Sequence, residues 1–298
     1  MNAAAKISAI IPTLNGARTL PLLLDGLRRA AARTPLEIVA IDSGSRDGTT
    51  DLLGAAGATV LDLGGRPFGH ASARNRAAAH AHGDILLFLT QDVAPAGEDW
   101  MLPLAAALED PNTAGAFGRQ IPRNASPEEA FLVSANYGDQ PRTLGAAAIA
   151  AFGPGATLFS TAFGAMKRSV WERYPLPEIV MSEDQAWARD VLRAGMTIRY
   201  VPGAAVYHGH RLSLWRAFRR NFDSGSSLQQ LGLTGRVWSA GFSHLSRELK
   251  WIRAEHGSLA VLHALVYEGA RMKGFQFGRL ERWMPRALAR VLGEAPRP

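Results

Sequence analysis

Ile7–Asp42, ISAIIPTLNGARTLPLLLDGLRRAAARTPLEIVAID, sets two short apolar runs on either side of one helical pattern. Ile7–Ile11 and Leu36–Ile41 are nearly continuous in apolar residues, as strands buried on both faces of a parallel sheet are. Between them, Leu20–Ala32 carries Leu at 20, 22, 23, 24 and 27, which predicts a helix with one apolar face. The alternation continues with a short helical stretch at Thr49–Ala56, a short strand at Val60–Leu63 and an Ala-rich helix at Ala71–His82. A third buried run follows at Ile85–Leu89. Strand–helix alternation with compact connections predicts an α/β fold, an open Rossmann-related sheet with right-handed crossovers.

Such sheets bind ligands beyond the carboxyl ends of their strands. Polar clusters fall at those ends: Pro12-Thr13-Leu14-Asn15, then Asp42-Ser43-Gly44-Ser45, then Thr90-Gln91-Asp92. A carboxylate at Asp42 suits a pyrimidine ring N–H or a ribose hydroxyl, and the glycine-rich turn after it lets backbone approach a ligand. Arg74, just inside a helix, suits a diphosphate. Asp92, a strand-end carboxylate, suits Mg²⁺ or Mn²⁺. His208 follows a predicted strand at Ile198–Val201 and a turn at Pro202-Gly203, and imidazole suits Mn²⁺ better than Mg²⁺.

Ile179–Asp190, IVMSEDQAWARD, places two adjacent carboxylates, Glu183 and Asp184, at the start of a helical pattern over Asp184–Ala194. Acidic residues there commonly cap amides and suit the helix dipole. The three clusters upstream turn the balance toward one nucleotide-sugar site. The intervening Gly115–Gly164 is rich in Gly, Ala, Pro and Asn and reads as loops carrying the acceptor side of a cleft.

The 298 residues contain no Cys, which excludes disulfides and thiolate metal sites. No apolar stretch approaches the roughly 20 residues that span a bilayer. The N-terminal residues lack a signal-like apolar core, so a cytoplasmic location is expected. Charge is uneven: residues 211–298 hold 15 Lys and Arg against 6 Asp and Glu, more than the whole net charge of +7. The expected division is a catalytic domain over 1–225 and a basic helical region over 226–298, serving membrane association or oligomerisation as a homodimer. Trp215, Phe218, Phe222, Trp238, Trp251 and Trp283 lie among the arginines of residues 211–298, as in helices seated on an anionic membrane surface. A basic nucleic-acid-binding module is the alternative, but the aromatic residues recur at helical spacing rather than as stacking platforms. Dinucleotide, P-loop, zincin and serine-hydrolase motifs are absent.

Taken in order, IIPTLN, IDSGSRDGT, the Arg74-Asn75 helix, LLFLTQD, SEDQAW and YHGH resemble glycosyltransferase family 2, inverting enzymes of the GT-A fold. The resemblance runs over about residues 7–222. FGHASARNRAAAHAHGDILLFLTQDVAP, AFGAMKRSVWERYPLPE and HGHRLSLWRAFRRNFDSG look like its bacterial rhamnosyltransferase branch. It implies that Pro12, Thr13, Asn15, Asp42 and Ser43 surround the donor nucleoside, with Arg74 near the diphosphate. Asp92 and His208 would hold a divalent metal, Mg²⁺ or Mn²⁺, and Gln91 stands near where the wider family places a first carboxylate. Asp184 would be the catalytic base, with Glu183 and Gly164 on the acceptor side. The implied donor is dTDP-L-rhamnose, with UDP- or GDP-sugars as alternatives. The implied acceptor is a saccharide or lipid-linked glycan of cell-surface polysaccharide synthesis.

Overall fold

Four strands follow the apolar runs: β1 (Ile7–Thr13), β2 (Leu36–Asp42), β3 (Thr59–Asp62) and β4 (Ile85–Leu89). They pair in parallel, in the order β3-β2-β1-β4. The computed structural model describes residues 5–147, 158–232 and 237–295, and side chains of the last stretch from residue 243. Helices α1 (Leu20–Ala31), α2 (Thr49–Ala55) and α3 (His70–Ala79) connect the parallel strands. Leu20, Leu23, Leu24, Leu27 and Ala30 of α1 recur every three or four residues and are buried, so this helix covers the sheet with one stripe.

Beyond β4 the sheet becomes antiparallel. It continues through β8 (Phe163–Lys167), β6 (Thr113–Pro122), β9 (Thr197–His208) and β5 (Ala94–Pro95), and β7 (Arg142–Leu144) also pairs with β9. Two expectations are corrected here. The stretch 115–164 is not mainly loop: it contributes most of the ten-residue strand β6, helix α5 (Pro127–Asn136) and β7, while its residues 148–157 lie outside those described. The predicted turn at Pro202-Gly203 does not form, because β9 runs unbroken through it to His208. Alternation accounts for β9, with Ile198, Tyr200, Ala204 and Val206 buried on one face. Helices α4 (Leu102–Ala107), α6 (Arg168–Arg173) and α7 (Glu183–Arg193) complete the elements around this sheet. Trp187 of α7 is fully buried and its indole N–H donates to the Tyr174 carbonyl.

The chain packs as two units. One comprises Met1–Ile121, Tyr137–Glu178 and Glu183–His208; the other comprises Pro122–Asn136, Ile179–Ser182 and Gly209–Pro298. The division expected after residue 225 therefore falls inside a helix, α8 (Leu214–Gln230), and α5 belongs to the helical unit. With α8 and α5 go α9 (Val237–His256), α10 (Ser258–Arg279) and α11 (Arg286–Leu292). Gly257, at φ +82°, separates α9 from α10. Helices α8 and α10 meet backbone to backbone: a Cβ at Gly274 would overlap the Phe218 carbonyl, and one at Gly278 the Phe222 carbonyl. Phe222 is buried in this unit and is unavailable to a membrane, and the Trp238 side chain lies outside those described. Trp215 and Trp283 are exposed.

Candidate active site

The ends of β1, β2 and β4 are stitched together by their loops. The Thr13 hydroxyl donates to Asp42 Oδ1 at 2.9 Å, and the Ser45 hydroxyl does so at 2.6 Å. The amides of Gly44 and Ser45 donate to Asp42 Oδ2. Burial pushes the Asp42 carboxyl up, but these four donors outweigh it and hold it below the usual carboxylate range. Asp42 thus spends its acceptors on shaping the loop after β2. Asn15, in the left-handed region at φ +47°, donates its amide to Ser45 Oγ and accepts from the Arg46 amide. The Ser43 amide donates to the Thr13 carbonyl, and Pro12 pairs with Ile41 one step earlier.

Gln91 clasps the first loop from the side of β4. Its Oε1 accepts from the Leu14 amide at 2.9 Å and its Nε2 donates to the Leu14 carbonyl at 3.0 Å. A Cβ at Gly16 would meet Gln91 Oε1 at 2.5 Å, so glycine there lets the clasp close. Gln91 therefore holds the backbone of the loop after β1.

Arg74 and Glu183 are both buried and form an ion pair at 3.2 Å. Arg74 Nη1 also lies 3.3 Å from the His70 carbonyl, and Thr161 Oγ1 donates to Glu183 Oε1 at 3.4 Å. Arg74 is thereby the countercharge of the acidic pair. Ser182, immediately ahead of Glu183, is held at φ +66°, a costly conformation for a non-glycine residue. Asp184 is half-buried at the N-terminus of α7. Burial and then the adjacent Glu183 charge raise its carboxyl to about 7, against the opposing donors Gln185 and Thr161 and the Arg74 guanidinium. Such a group is poised to accept a proton near neutral pH.

At the end of β9, His208 points inward with the parity of Ala204 and Val206. Its Nε2 lies 3.6 Å from Asp92 Oδ1. One small divalent ion bonded at about 2.1 Å to each atom spans that separation. An oxygen and an imidazole nitrogen form a donor set suited to Mn²⁺ or Mg²⁺. His210, two residues on, is a further residue of ligand type in the sequence.

Gly164 sits inside the sheet, paired with Phe88 and Phe117, where an added Cβ would meet the Ser160 carbonyl at 2.5 Å. Packing accounts for this glycine, and the structure gives it no open face toward an acceptor. Sequence reading missed Gln120, Tyr137 and Ser160. Gln120 Nε2 donates to the Tyr137 and Ser160 hydroxyl oxygens, both at 2.9 Å, and its Oε1 lies 2.7 Å from His208 Nδ1. A signal existed: Ala114, Ala116, Gly118 and Gln120 alternate along one face of β6, so a polar side chain ends an otherwise small and apolar row.

A mixed sheet thus carries carboxylates at its strand ends, an aspartate and a histidine of metal-ligand type 3.6 Å apart, and two adjacent carboxylates at a helix start. The chain belongs to glycosyl transferase family 2, whose model matches residues 8–174. It is 29% identical over 295 residues to the O-antigen chain rhamnosyltransferase RfbN of Salmonella typhimurium, covering 96% of this chain and 93% of that one. It is 27% identical over 265 residues to the O-antigen chain rhamnosyltransferase WbaN of Salmonella anatum, covering 86% and 84%. Among solved structures, the mannosyltransferase PcManGT from Pyrobaculum calidifontis, in complex with GDP-Man and Mn²⁺, shares the fold. Its TM-score is 0.61 at 19% identity, over 94% of this chain and 87% of that one. The TarS 1–349 structure from S. aureus shares it too, with a TM-score of 0.54 at 17% identity over 93% and 91%. The protein is a glycosyltransferase of the GT-A fold.

Proposed function

We propose that the protein is an inverting rhamnosyltransferase that moves L-rhamnose from dTDP-L-rhamnose to a saccharide or lipid-linked glycan in bacterial cell-surface polysaccharide synthesis. The observation that carries the chemistry is the placement of Asp184 at the start of α7 beside Glu183, which Arg74 pairs at 3.2 Å; burial and that neighbouring charge raise the Asp184 carboxyl. Asp184 takes the proton of the acceptor hydroxyl as that oxygen bonds to the anomeric carbon from the face opposite the leaving group. The bond from the anomeric carbon to the diphosphate oxygen breaks, its electron pair leaves with dTDP, and the configuration inverts. Pro12, Thr13, Asn15, Asp42, Ser43 and Gln91 border the nucleoside, and the loops they stitch set its depth. Arg74 lies near the diphosphate and pairs with Glu183 on the acceptor side. Asp92 and His208 would hold a divalent ion, Mg²⁺ or Mn²⁺, which supplies neutralisation of charge on the departing diphosphate.

The names of the two Salmonella relatives support the rhamnosyl part. Thermal-shift and turnover measurements with dTDP-L-rhamnose, UDP-glucose and GDP-mannose, each with Mg²⁺ or Mn²⁺, test it. The expected result is stabilisation and turnover with the dTDP sugar. A preference for GDP-mannose or UDP-glucose refutes the rhamnosyl part and leaves the family intact.

We also infer that the enzyme works at the inner face of the cytoplasmic membrane, with its helical unit resting on anionic lipid. Among the described residues, no helix is long and apolar enough to cross a membrane. Leu259, Leu262, Val266 and Phe277 recur along one face of α10 and are exposed, as is Leu280 just after its end, and Trp283 follows with 73% of its surface open. Arg282 stacks on the Trp283 ring, and Arg286 and Arg290 lie on the next helix. An apolar stripe with basic neighbours fits insertion at the headgroup level.

A further inference from the structure

We propose that Gln120 is a positioning residue that holds His208 in the tautomer whose Nε2 lone pair faces Asp92. Gln120 has one amide acceptor and two amide hydrogens, and the structure uses all of them. Nε2 donates to Tyr137 Oη and to Ser160 Oγ, each at 2.9 Å. That leaves Oε1 toward His208 Nδ1 at 2.7 Å, and an amide oxygen there requires the hydrogen to sit on Nδ1. A neutral imidazole carries one such hydrogen, so Nε2 keeps its lone pair.

The other arrangement turns the amide over, with Nε2 of Gln120 donating to Nδ1 and the imidazole hydrogen on His208 Nε2. That hydrogen would then point at the Asp92 carboxylate, and a charge-assisted N–H···O bond closes to about 2.7–2.9 Å. The observed separation is 3.6 Å, too long for such a bond. The spacing suits two acceptor atoms sharing a cation and does not suit a donor facing an acceptor. Gln120 is buried, so the orientation of its amide is set by the protein and not by solvent.

Gln120 also reaches toward the acidic pair. Ser160 precedes Thr161, whose hydroxyl donates to Glu183 and whose amide supports Asp184. One amide thus ties the end of β9, where His208 sits, to the segment that steadies the base. Residues behind a metal-binding histidine set its tautomer and ring orientation, and their loss typically costs about 10- to 100-fold in metal affinity.

For its functional consequence the proposal rests on the divalent-metal reading above, so two readouts are needed. In metal-free protein with ¹⁵N-labelled histidine, His208 Nε2 is expected to give the pyridine-like nitrogen signal and Nδ1 the pyrrole-like one. Gln120→Met should lose that preference, while Gln120→Glu, which keeps an acceptor at the same place, should retain it. Mn²⁺ titration followed by electron paramagnetic resonance, with dTDP present, should show about 10- to 100-fold weaker binding in Gln120→Met and near-normal binding in Gln120→Glu. Thermal unfolding of both variants checks that they fold. A pyrrole-like Nε2 in the wild type, or an unchanged His208 spectrum in Gln120→Met, overturns the proposal. Wild-type protein that retains no Mn²⁺ overturns the metal reading instead, and the tautomer signals then decide the part played by Gln120 alone.

Discussion

Arg74 on α3 and Glu183 at the start of α7 lie 3.2 Å apart, both with under a tenth of their side-chain surface exposed. Removing one member of such a pair strands the other's charge in a site that cannot solvate it. The cost is typically about 3–5 kcal/mol, whereas neutralising both is far milder. Arg74→Met should therefore lower stability by about that amount. Arg74→Met combined with Glu183→Gln should recover most of the loss. Urea unfolding of the single and double variants reads this directly, and a single variant with the wild-type midpoint would show that the pair holds nothing.

Asp184 should dominate the pH dependence of turnover. Its carboxyl is raised to about 7, so the ionised form that accepts a proton is lost as pH falls through that value. We expect kcat/KM to rise with pH across roughly pH 6–8 and then level off. Asp184→Asn should lower turnover by at least about 10²-fold, with donor binding nearly intact. Full activity in that variant would remove Asp184 from the mechanism.

Glu248 on α9 is buried in the helical unit, with only 1% of its surface exposed and, among the described residues, no hydrogen-bond partner for either carboxylate oxygen. Burial first, then the charges of Glu268, Glu128 and Glu129 opposed by Arg271, raise its carboxyl to about 8. The folded protein then keeps a proton that the unfolded chain releases above its ordinary value of 4.5. Stability from this group is complete below that value and falls as pH rises toward 8, by about 1.4 kcal/mol per pH unit. Glu248→Gln should match the wild type at pH 4.5 and exceed it in melting temperature at pH 8. Parallel melting curves would contradict the assignment.

Gly278 and Gly269 on α10 should respond oppositely to alanine. At Gly278 a Cβ would overlap the Phe222 carbonyl on α8, and such overpacking costs about 1–3 kcal/mol. At Gly269 no atom of another element among the described residues lies within 4 Å of the added Cβ, and helical Gly→Ala then stabilises by about 0.4–1 kcal/mol. Thermal unfolding of the two variants distinguishes close helix packing from chance placement.

Vesicle co-sedimentation tests the membrane reading. Binding to anionic vesicles should weaken with salt, since each basic residue near the surface contributes about 1 kcal/mol that is screened over a Debye length. Replacing Leu259, Leu262 and Trp283 with Ser should reduce it further. Equal binding to neutral vesicles, or none to either, would leave α10 as a solvent-facing or subunit-facing surface.

The parallel half of the sheet was legible in the chain because its strands and helices are local patterns. Ile7–Thr13, Leu36–Asp42 and Ile85–Leu89 are apolar runs at strand length, and Leu20–Ala31 carries its own helical period. Motif order likewise pointed to Asp92, His208 and Asp184 as candidates, since each sits at or just beyond the end of a regular element. The antiparallel half was hidden. Strand β6 reads AGAFG, small residues with weak propensity, and it becomes a strand because β8 and β9 supply its partners and Phe159, Phe163 and Trp187 fill the space above its glycines. Side-chain pairing was beyond sequence altogether. That Arg74 meets Glu183 across 109 positions, that Thr13 donates to Asp42 across 29, and that Gln120 stands behind His208 all depend on distances of about 3 Å between residues far apart in the chain. Sequence carries local periodicity and residue chemistry; only the packed fold decides which buried polar groups satisfy one another.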